Sequence, residues 1–261
     1  MPELPEVEVV RRYLEGECLG ATITMVKVHD RGILDGIGPR SFSSGIRGRR
    51  ISSIKRHGKQ LFLELGGESM NVHLGMTGDL LVLGQGEPSP RHARLSMHLS
   101  DGRSLIYDDP RKFGSIGLCA SMEAFVNSHR LGPDALLVAP EEFASRTGRS
   151  GRAIKSVLLD QHFIAGIGNL YADEVLFQMR VHPTQPADRL PDGRLLDMGR
   201  CAARVLQASI DIATDFDLLP NGYLLRSRKE GEECPRQNGR LRSMKVGGRT
   251  SYYCPKCQRP P

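Results

Sequence analysis

Two places in this 261-residue chain bring together residue types that do chemistry. One is the tail, where Gly247-Gly248-Arg249-Thr250 runs into Cys254-Pro-Lys-Cys257. Cysteines two apart can present both thiolates from one tight knuckle to a tetrahedral Zn²⁺. A four-cysteine ribbon needs a second pair upstream; Cys234 stands there, but position 237 is Gln. The thiol donors are therefore Cys234, Cys254 and Cys257. Either zinc binds with water or another side chain in fourth place, or the hairpin stands on packing alone. The other place is Met1-Pro2-Glu3. Methionine before proline is normally removable, which leaves a secondary amine. An α-amino group titrates at about pH 8, so a useful fraction is neutral and nucleophilic at physiological pH. Attack of a secondary amine on a sugar C1′ gives only a cationic iminium, an electron sink that eases elimination of a 3′ phosphate. Glu3, next along, is a carboxylate able to give and take protons. The same residues also read as the acidic start of a helix.

The charge distribution points to a polyanionic partner. The net charge is +6, yet residues 226–261 hold ten Lys/Arg against three Glu, which leaves −1 for everything before them. A second run, Arg40 to Lys59, has seven Lys/Arg and no acid. Clustered positive charge suits a polyanion because each neutralised phosphate releases condensed counterions; a solvated basic surface is the alternative. The apolar fraction is 39% and the charged fraction 25%, as in ordinary globular proteins. The acidic start lacks the basic, apolar pattern of a secretory signal, and no apolar run is long enough for a membrane helix. The expectation is a cytoplasmic chain without membrane contact, with Cys18, Cys119 and Cys201 as small apolar residues of a reduced protein.

These groups need elements to position them. Residues 2–16 show helical spacing, with Val7, Val10, Tyr13 and Leu14 on one face. From about 22 to 119 short β-like runs separated by Gly, Pro, Asp and Ser predict a sandwich or barrel: Ile23–Val28, Leu61–Leu65, Asn71–Leu74, Leu80–Leu83, Ala93–Leu99, Leu105–Tyr107 and Ser115–Cys119. Beyond about 121 the period turns helical, over Met122–His129, Pro140–Thr147, Arg152–Asp160, Leu170–Met179 and Pro191–Thr214. After Pro220–Gly222 the tail reads as a small β-rich unit. Gly166-Ile167-Gly168-Asn169 opens a helix whose amides and dipole favour a phosphate, or where Asn169 is a simple N-cap.

The order of motifs resembles the bacterial formamidopyrimidine-DNA glycosylases along nearly the whole chain. The matching residues are MPELPEVE, His57-Gly58-Lys59-Gln60-Leu61, His73 to Gly78, Asp109-Pro110-Arg111-Lys112-Phe113-Gly114, Ala153-Ile154-Lys155, Gly166 to Glu174 and Gly248-Arg249-Thr250. The resemblance implies an α+β multidomain fold: an N-terminal helix with a β-sandwich (1–120), a helix–two-turn–helix DNA-binding domain (135–220) and a zinc-ribbon-like hairpin (225–261), with DNA between the two halves. It implies Pro2 as Schiff-base nucleophile, Glu3 as acid/base partner, and Lys59 as an aid at phosphate and sugar. Glu6 and Glu174 would order the catalytic amine and the domain interface. Met76, Arg111 and Phe113 would fill the gap left by an everted nucleotide, apolar and aromatic groups replacing stacking while Arg bonds the orphaned base. His92, Lys155, Asn169 and Arg249 would meet DNA, Arg249 clamping phosphates and aiding a second elimination. The implied partner is damaged double-stranded DNA, bound by a monomer associated with the nucleoid.

Two departures bear on this. Gln237 replaces a zinc cysteine. The stretch from Ile212 to Cys234 is short and lacks the long loop that, in 8-oxoguanine-removing members, closes over the flipped purine. Formamidopyrimidines and oxidised pyrimidines therefore stand beside 8-oxoguanine as substrates. An endonuclease VIII-like pyrimidine glycosylase and a lesion-binding protein that does not cut are the alternatives. Leu4, where the endonuclease VIII branch has Gly, together with Met76, Arg111 and Phe113, favours the formamidopyrimidine branch.

Overall fold

The computed structural model describes residues 1–260. The chain divides into two compact units: Met1–Pro2 with Glu6–His129, and Glu3–Pro5 with Arg130 onward.

In the first unit, α1 (Leu4–Cys18) buries Val7, Leu14 and Cys18 along one stripe. It is followed by β1 (Ile23–Val28), α2 (Pro39–Ile46), β2 (Ser53–His57), β3 (Gln60–Glu64), β4 (Ser69–His73), β5 (Asp79–Leu83), β6 (Ala93–Leu99), β7 (Ser104–Asp108), β8 (Ser115–Cys119) and α3 (Met122–Ser128). The strands form two antiparallel four-stranded sheets, ordered β1-β6-β7-β5 and β2-β3-β4-β8. Alternate residues from both sheets, among them Leu61, Leu63, Val72, Leu95, Met97 and Leu105, share one core with α1 and α2. This is the expected sandwich. On β3 the outward Phe62 is also buried, edge-on to Phe125 of α3 at 5.4 Å.

Two elements escaped the sequence pattern. The α2 segment is rich in Ser and Gly, poor helix formers, and is held by Phe42 and Ile46 one turn apart in the core. Strand β2 is an edge, so its exposed side carries Lys55 and its alternation is too weak to read.

The second unit contains α4 (Pro140–Thr147), α5 (Ile154–Leu159), α6 (Asn169–Gln178), α7 (Asp192–Asp211) and a hairpin of β9 (Arg242–Val246) and β10 (Arg249–Tyr253). Helix α6 is buried along its whole length from Tyr171 to Phe177, including Asp173 and Glu174, as a helix surrounded by other elements must be. Phe177, Leu224, Cys234, Leu241 and Cys254 form a small separate cluster under the hairpin. Among the described residues no helix is long and apolar enough to cross a membrane.

Candidate active site

Within the first unit, Pro2 is half-buried just ahead of α1, and Glu6 is half-buried in that helix's first turn. Further along α1, Glu8 receives Arg11, Arg12 and the buried Arg56 at 3.0–3.1 Å. Burial alone would raise the Glu8 carboxyl, but the hydrogen bonds from Arg11 and Arg56 outweigh it and hold it below its ordinary range. Arg56 also donates to the Gly58 carbonyl at 2.9 Å. It thereby fixes the two-residue turn Gly58-Lys59 between β2 and β3, whose first position has φ +56° and suits glycine. Lys59 rides on that turn, half-buried, with its carbonyl 3.4 Å from His73 Nδ1.

Met76, Arg111 and Phe113 sit on two loops that one carboxylate ties together. Asp109, fully buried, accepts Thr77 Oγ1 at 2.7 Å and the Arg111 amide at 3.2 Å on one oxygen, and the Gly114 amide at 2.9 Å on the other. Burial would raise this carboxyl too; its donors, Thr77 first and then Gly114, Arg111 and Lys112, leave it below the ordinary range. Gly75, at φ +62°, lies so close to the Phe113 carbonyl carbon that a Cβ would stand 2.3 Å from it. With the loops locked, their tips face outward: Phe113 is 56% and Met76 39% exposed, and the Arg111 guanidinium lies 4.9 Å from the Phe113 ring centroid. Large apolar side chains displayed on a rigid base are costly in water unless a partner covers them. His92 is half-buried and accepts the Asp109 amide through its carbonyl.

Within the second unit, Glu3 is 1% exposed, and its carboxylate caps α6, accepting the Leu170 amide at 2.9 Å and the Tyr171 amide at 3.3 Å. Gly168 makes this possible, since a Cβ there would lie 2.2 Å from the Glu3 carboxyl carbon. Glu3 thus takes two of the amides at this helix N-terminus, where the sequence placed a phosphate. Asn169, expected to meet the same phosphate, donates its side-chain amide to the Thr250 carbonyl at 3.0 Å.

Lys155 also departs from expectation. It is fully buried, with its ammonium 2.6 Å from Asp173 and 3.3 Å from the Thr250 carbonyl, and burial lowers its pKa against the pull of Asp173. A lysine so enclosed does not reach a phosphate; it holds the hairpin. The other Asp173 oxygen takes Arg228 at 2.7 Å and the Tyr252 amide at 3.0 Å, and Arg228 stacks on the Tyr252 ring. Around this knot the tight turn Gly247-Gly248, both at positive φ, presents Arg249 exposed at the start of β10.

The segment from Ile212 to Cys234 is pinned to α6. Leu224 and Leu225 are buried, the Leu225 amide donates to Glu174 at 2.8 Å, and Arg228 reaches Asp173. Glu174 also takes Gln178 at 2.6 Å. Asp109, Asp173 and Glu8 were given no role by the sequence. Their signal was an acid inside an otherwise apolar or motif-dense stretch, which burial turns into an anchor.

Cys234, Cys254 and Cys257 come together, with all three sulfurs within 4.8 Å and Cys234 Sγ to Cys257 Sγ at 3.8 Å. Tetrahedral zinc with Zn–S of about 2.3 Å requires S···S separations of about 3.8 Å, so the cluster can hold a metal ion. Gln237 is exposed, at φ +55°.

The formamidopyrimidine-DNA glycosylase N-terminal domain matches residues 1–116, and the helix–two-turn–helix domain of the same enzymes matches residues 131–216. The formamidopyrimidine-DNA glycosylase of Nocardioides sp. is 38% identical over all of this chain and 95% of its own length; that of Chloroflexus aurantiacus is 36% identical over 99% and 98%. Among solved structures, MutM in complex with DNA containing carbocyclic 8-oxo-G has a TM-score of 0.90 at 30% identity, covering 99% of this chain and all of that one. The Lactococcus lactis enzyme in complex with DNA containing FAPY-dG has a TM-score of 0.89 at 29% identity, with the same coverage. The chain belongs to the formamidopyrimidine-DNA glycosylase family.

Two measurements probe the anchors. Asp109→Ala removes the shared acceptor of the Thr77 hydroxyl and the Arg111 and Gly114 amides and should cost about 3 kcal/mol in urea unfolding, with Asp109→Asn costing roughly half. Losses below about 1 kcal/mol for both would mean that the loops hold themselves. Burial pushes Glu174 up to about 7 from its ordinary 4.5, against Gln178, the Leu225 and Leu224 amides and the nearby Arg236. The folded chain then binds a proton that the unfolded chain has released, so this stabilisation is full below the unfolded value and is lost as pH rises through about 7. Glu174→Gln should flatten the fall in Tm between about pH 5 and 8; an unchanged slope would assign that fall to other groups.

Proposed function

We propose that this chain is a bifunctional glycosylase and abasic-site lyase that removes oxidised bases, formamidopyrimidines foremost, from duplex DNA. The observation that carries the reading is the arrangement at the N-terminus: a half-buried Pro2 followed by a Glu3 whose carboxylate is fixed by two helix amides. With Met1 removed, the Pro2 nitrogen attacks C1′ of the damaged nucleotide. The C1′–base bond breaks, and the base leaves with a proton. Glu3, whose held geometry favours one trajectory, gives a proton to O4′ as the C1′–O4′ bond opens, which leaves C1′ doubly bonded to the Pro2 nitrogen. The resulting iminium acidifies C2′; loss of that proton drives out the 3′ phosphate, and water then releases Pro2. Lys59 and Arg249 stabilise phosphate charge, Arg249 also aiding the second elimination. Met76 and Phe113 replace the lost stacking and Arg111 meets the orphaned base, roles supported by their exposure on locked loops.

The pinned Ile212–Cys234 segment bears on the lesion. A loop held by Glu174 and Asp173 is not free to fold over a flipped purine, which favours lesions read without such closure over 8-oxoguanine. Base release and borohydride trapping on duplexes holding a formamidopyrimidine, 8-oxoguanine or an abasic site test this. A covalent adduct mapped to Pro2 is expected, with faster release from the formamidopyrimidine duplex, and Glu3→Gln should lower base release at least about a hundredfold while sparing binding. Full release by Glu3→Gln would remove Glu3 from the role, and no adduct from protein lacking Met1 would remove Pro2.

We also infer that the metal ion suited to the cysteines is Zn²⁺, held by Cys234, Cys254 and Cys257 as a structural cross-link of the two knuckles. When bound, it supplies order to the hairpin that carries Arg249, and no step of the reaction. About one zinc per chain is expected by metal analysis, with a lower Tm after chelation and release to a chromophoric chelator slowed roughly tenfold by Gln237→Cys. A metal-free chain with chelator-insensitive Tm would show that the hairpin stands on packing.

A further inference from the structure

The basic run that begins at Arg40 does not end up in one place. Arg56 is spent on Glu8 and Lys59 rides its turn, but Arg40, in the first turn of α2, and Arg47, just past its end, are exposed beside the outer edge of β1. Helix and strand edge enclose an open groove of about 550 Å³. Its floor and rim include Met25, Val26, Val28, Lys27, Arg40 and Arg47.

Three features of this groove go unused within the chain. β1 has β6 on one side and no strand on the other. Among the described residues, its outer edge is bonded at Ile23, to Gly48 and Arg49, and not from Met25 to Val28. Among the described residues, Lys27, Arg40 and Arg47 have no ion-pair partner and no acid lines the groove. Met25 is 58% exposed, among the most exposed large apolar residues.

We propose that this groove is a docking surface for an extended, acidic segment of a partner protein, which adds to β1 as a further strand. An unpaired edge offers amides and carbonyls alternately, and a peptide strand satisfies both. A phosphate backbone can use only the donors and would face the intervening carbonyl oxygens. A second copy of this chain would bring its own Lys27, Arg40 and Arg47 against the same charges. The occupant that meets these features carries carboxylates on the face toward Arg40 and Arg47 and apolar side chains, two apart, on the other face beside Met25.

The test uses the full chain and a fluorescein-labelled eight-residue peptide alternating Asp and Val, read by fluorescence polarisation. Saturable binding is expected, weakened about tenfold by Arg40→Glu/Arg47→Glu and weakened similarly by raising the salt. The same peptide N-methylated at alternate amides, which blocks pairing along one edge, should not bind. Arg40 and Arg47 are exposed, so the double variant should keep its Tm. Three outcomes overturn the proposal: no binding of the acidic peptide, equal binding to the double variant, or equal binding of the N-methylated peptide. A double variant that loses affinity for an undamaged 12-base-pair duplex, with the peptide never bound, assigns the groove to nucleic acid.

Discussion

A carboxylate taken out of water must collect its donors from the protein, and this molecule uses that constraint at each place where a loop has to be held. Asp109 gathers a hydroxyl and two amides from the loops of Met76 and Phe113. Asp173 gathers two cations and the Tyr252 amide around the hairpin of Arg249. Glu3 takes two amides at the start of α6, and Glu8 takes the arginine that fixes the turn of Lys59. Backbone donors matter here because they cannot swing away. A carboxylate that bonds amides sets the position of the main chain itself, and so the direction in which the next side chain leaves it.

The same constraint explains why the stretch after α7 behaves as a strut. Asp173 and Glu174 are successive residues of a helix buried on every side, and neighbouring residues of a helix point about a quarter-turn apart. One carboxylate faces the hairpin and the other faces Leu225. Each would carry an uncompensated desolvation cost if the chain between Ile212 and Cys234 swung away, because Arg228 and the Leu225 amide are among their donors. Burial of Leu224 and Leu225 adds roughly 2 kcal/mol each against release. The segment is therefore fixed at the residues whose partners lie on α6.

Much of this was legible in the sequence, and the unread part has a common cause. Helix and strand periods mark the elements whose apolar face meets a single core, and Ala93–Leu99, Ser115–Cys119 and Pro140–Thr147 were read with their observed limits. α2 and β2 were missed because tertiary packing of two or three residues, rather than propensity, makes them. At the site, the exposure of Met76 and Phe113 fits their motif positions, whereas composition alone would bury both. Lys155 shows the opposite error. A lysine in a basic stretch reads as a surface cation, and only the fold reveals the buried aspartate one helix away, whose charge pays for its burial. Motif position says which residues matter; it does not say whether they face the ligand or the protein.

The loss of a fourth cysteine is intelligible on the same grounds. In a small ribbon without other anchors, metal ligands supply most of the order, and one missing thiolate would be severe. Here the hairpin is held independently on several sides. Tyr252 is bonded to Asp173 through its amide and stacked under Arg228. Gln258, fully buried, joins the Cys254 amide to the Val181 carbonyl. Arg236 lies over the Phe177 ring and donates to that residue's carbonyl. Each tether fixes backbone or ring rather than a thiol, so the placement of Arg249 does not rest on a complete ligand set. Gln237 lies at the exposed rim of the knuckle, away from these contacts. Cys234 and Cys254, by contrast, are part of the apolar cluster with Phe177, Leu224 and Leu241, and replacing either with a polar residue would damage packing as well as ligation.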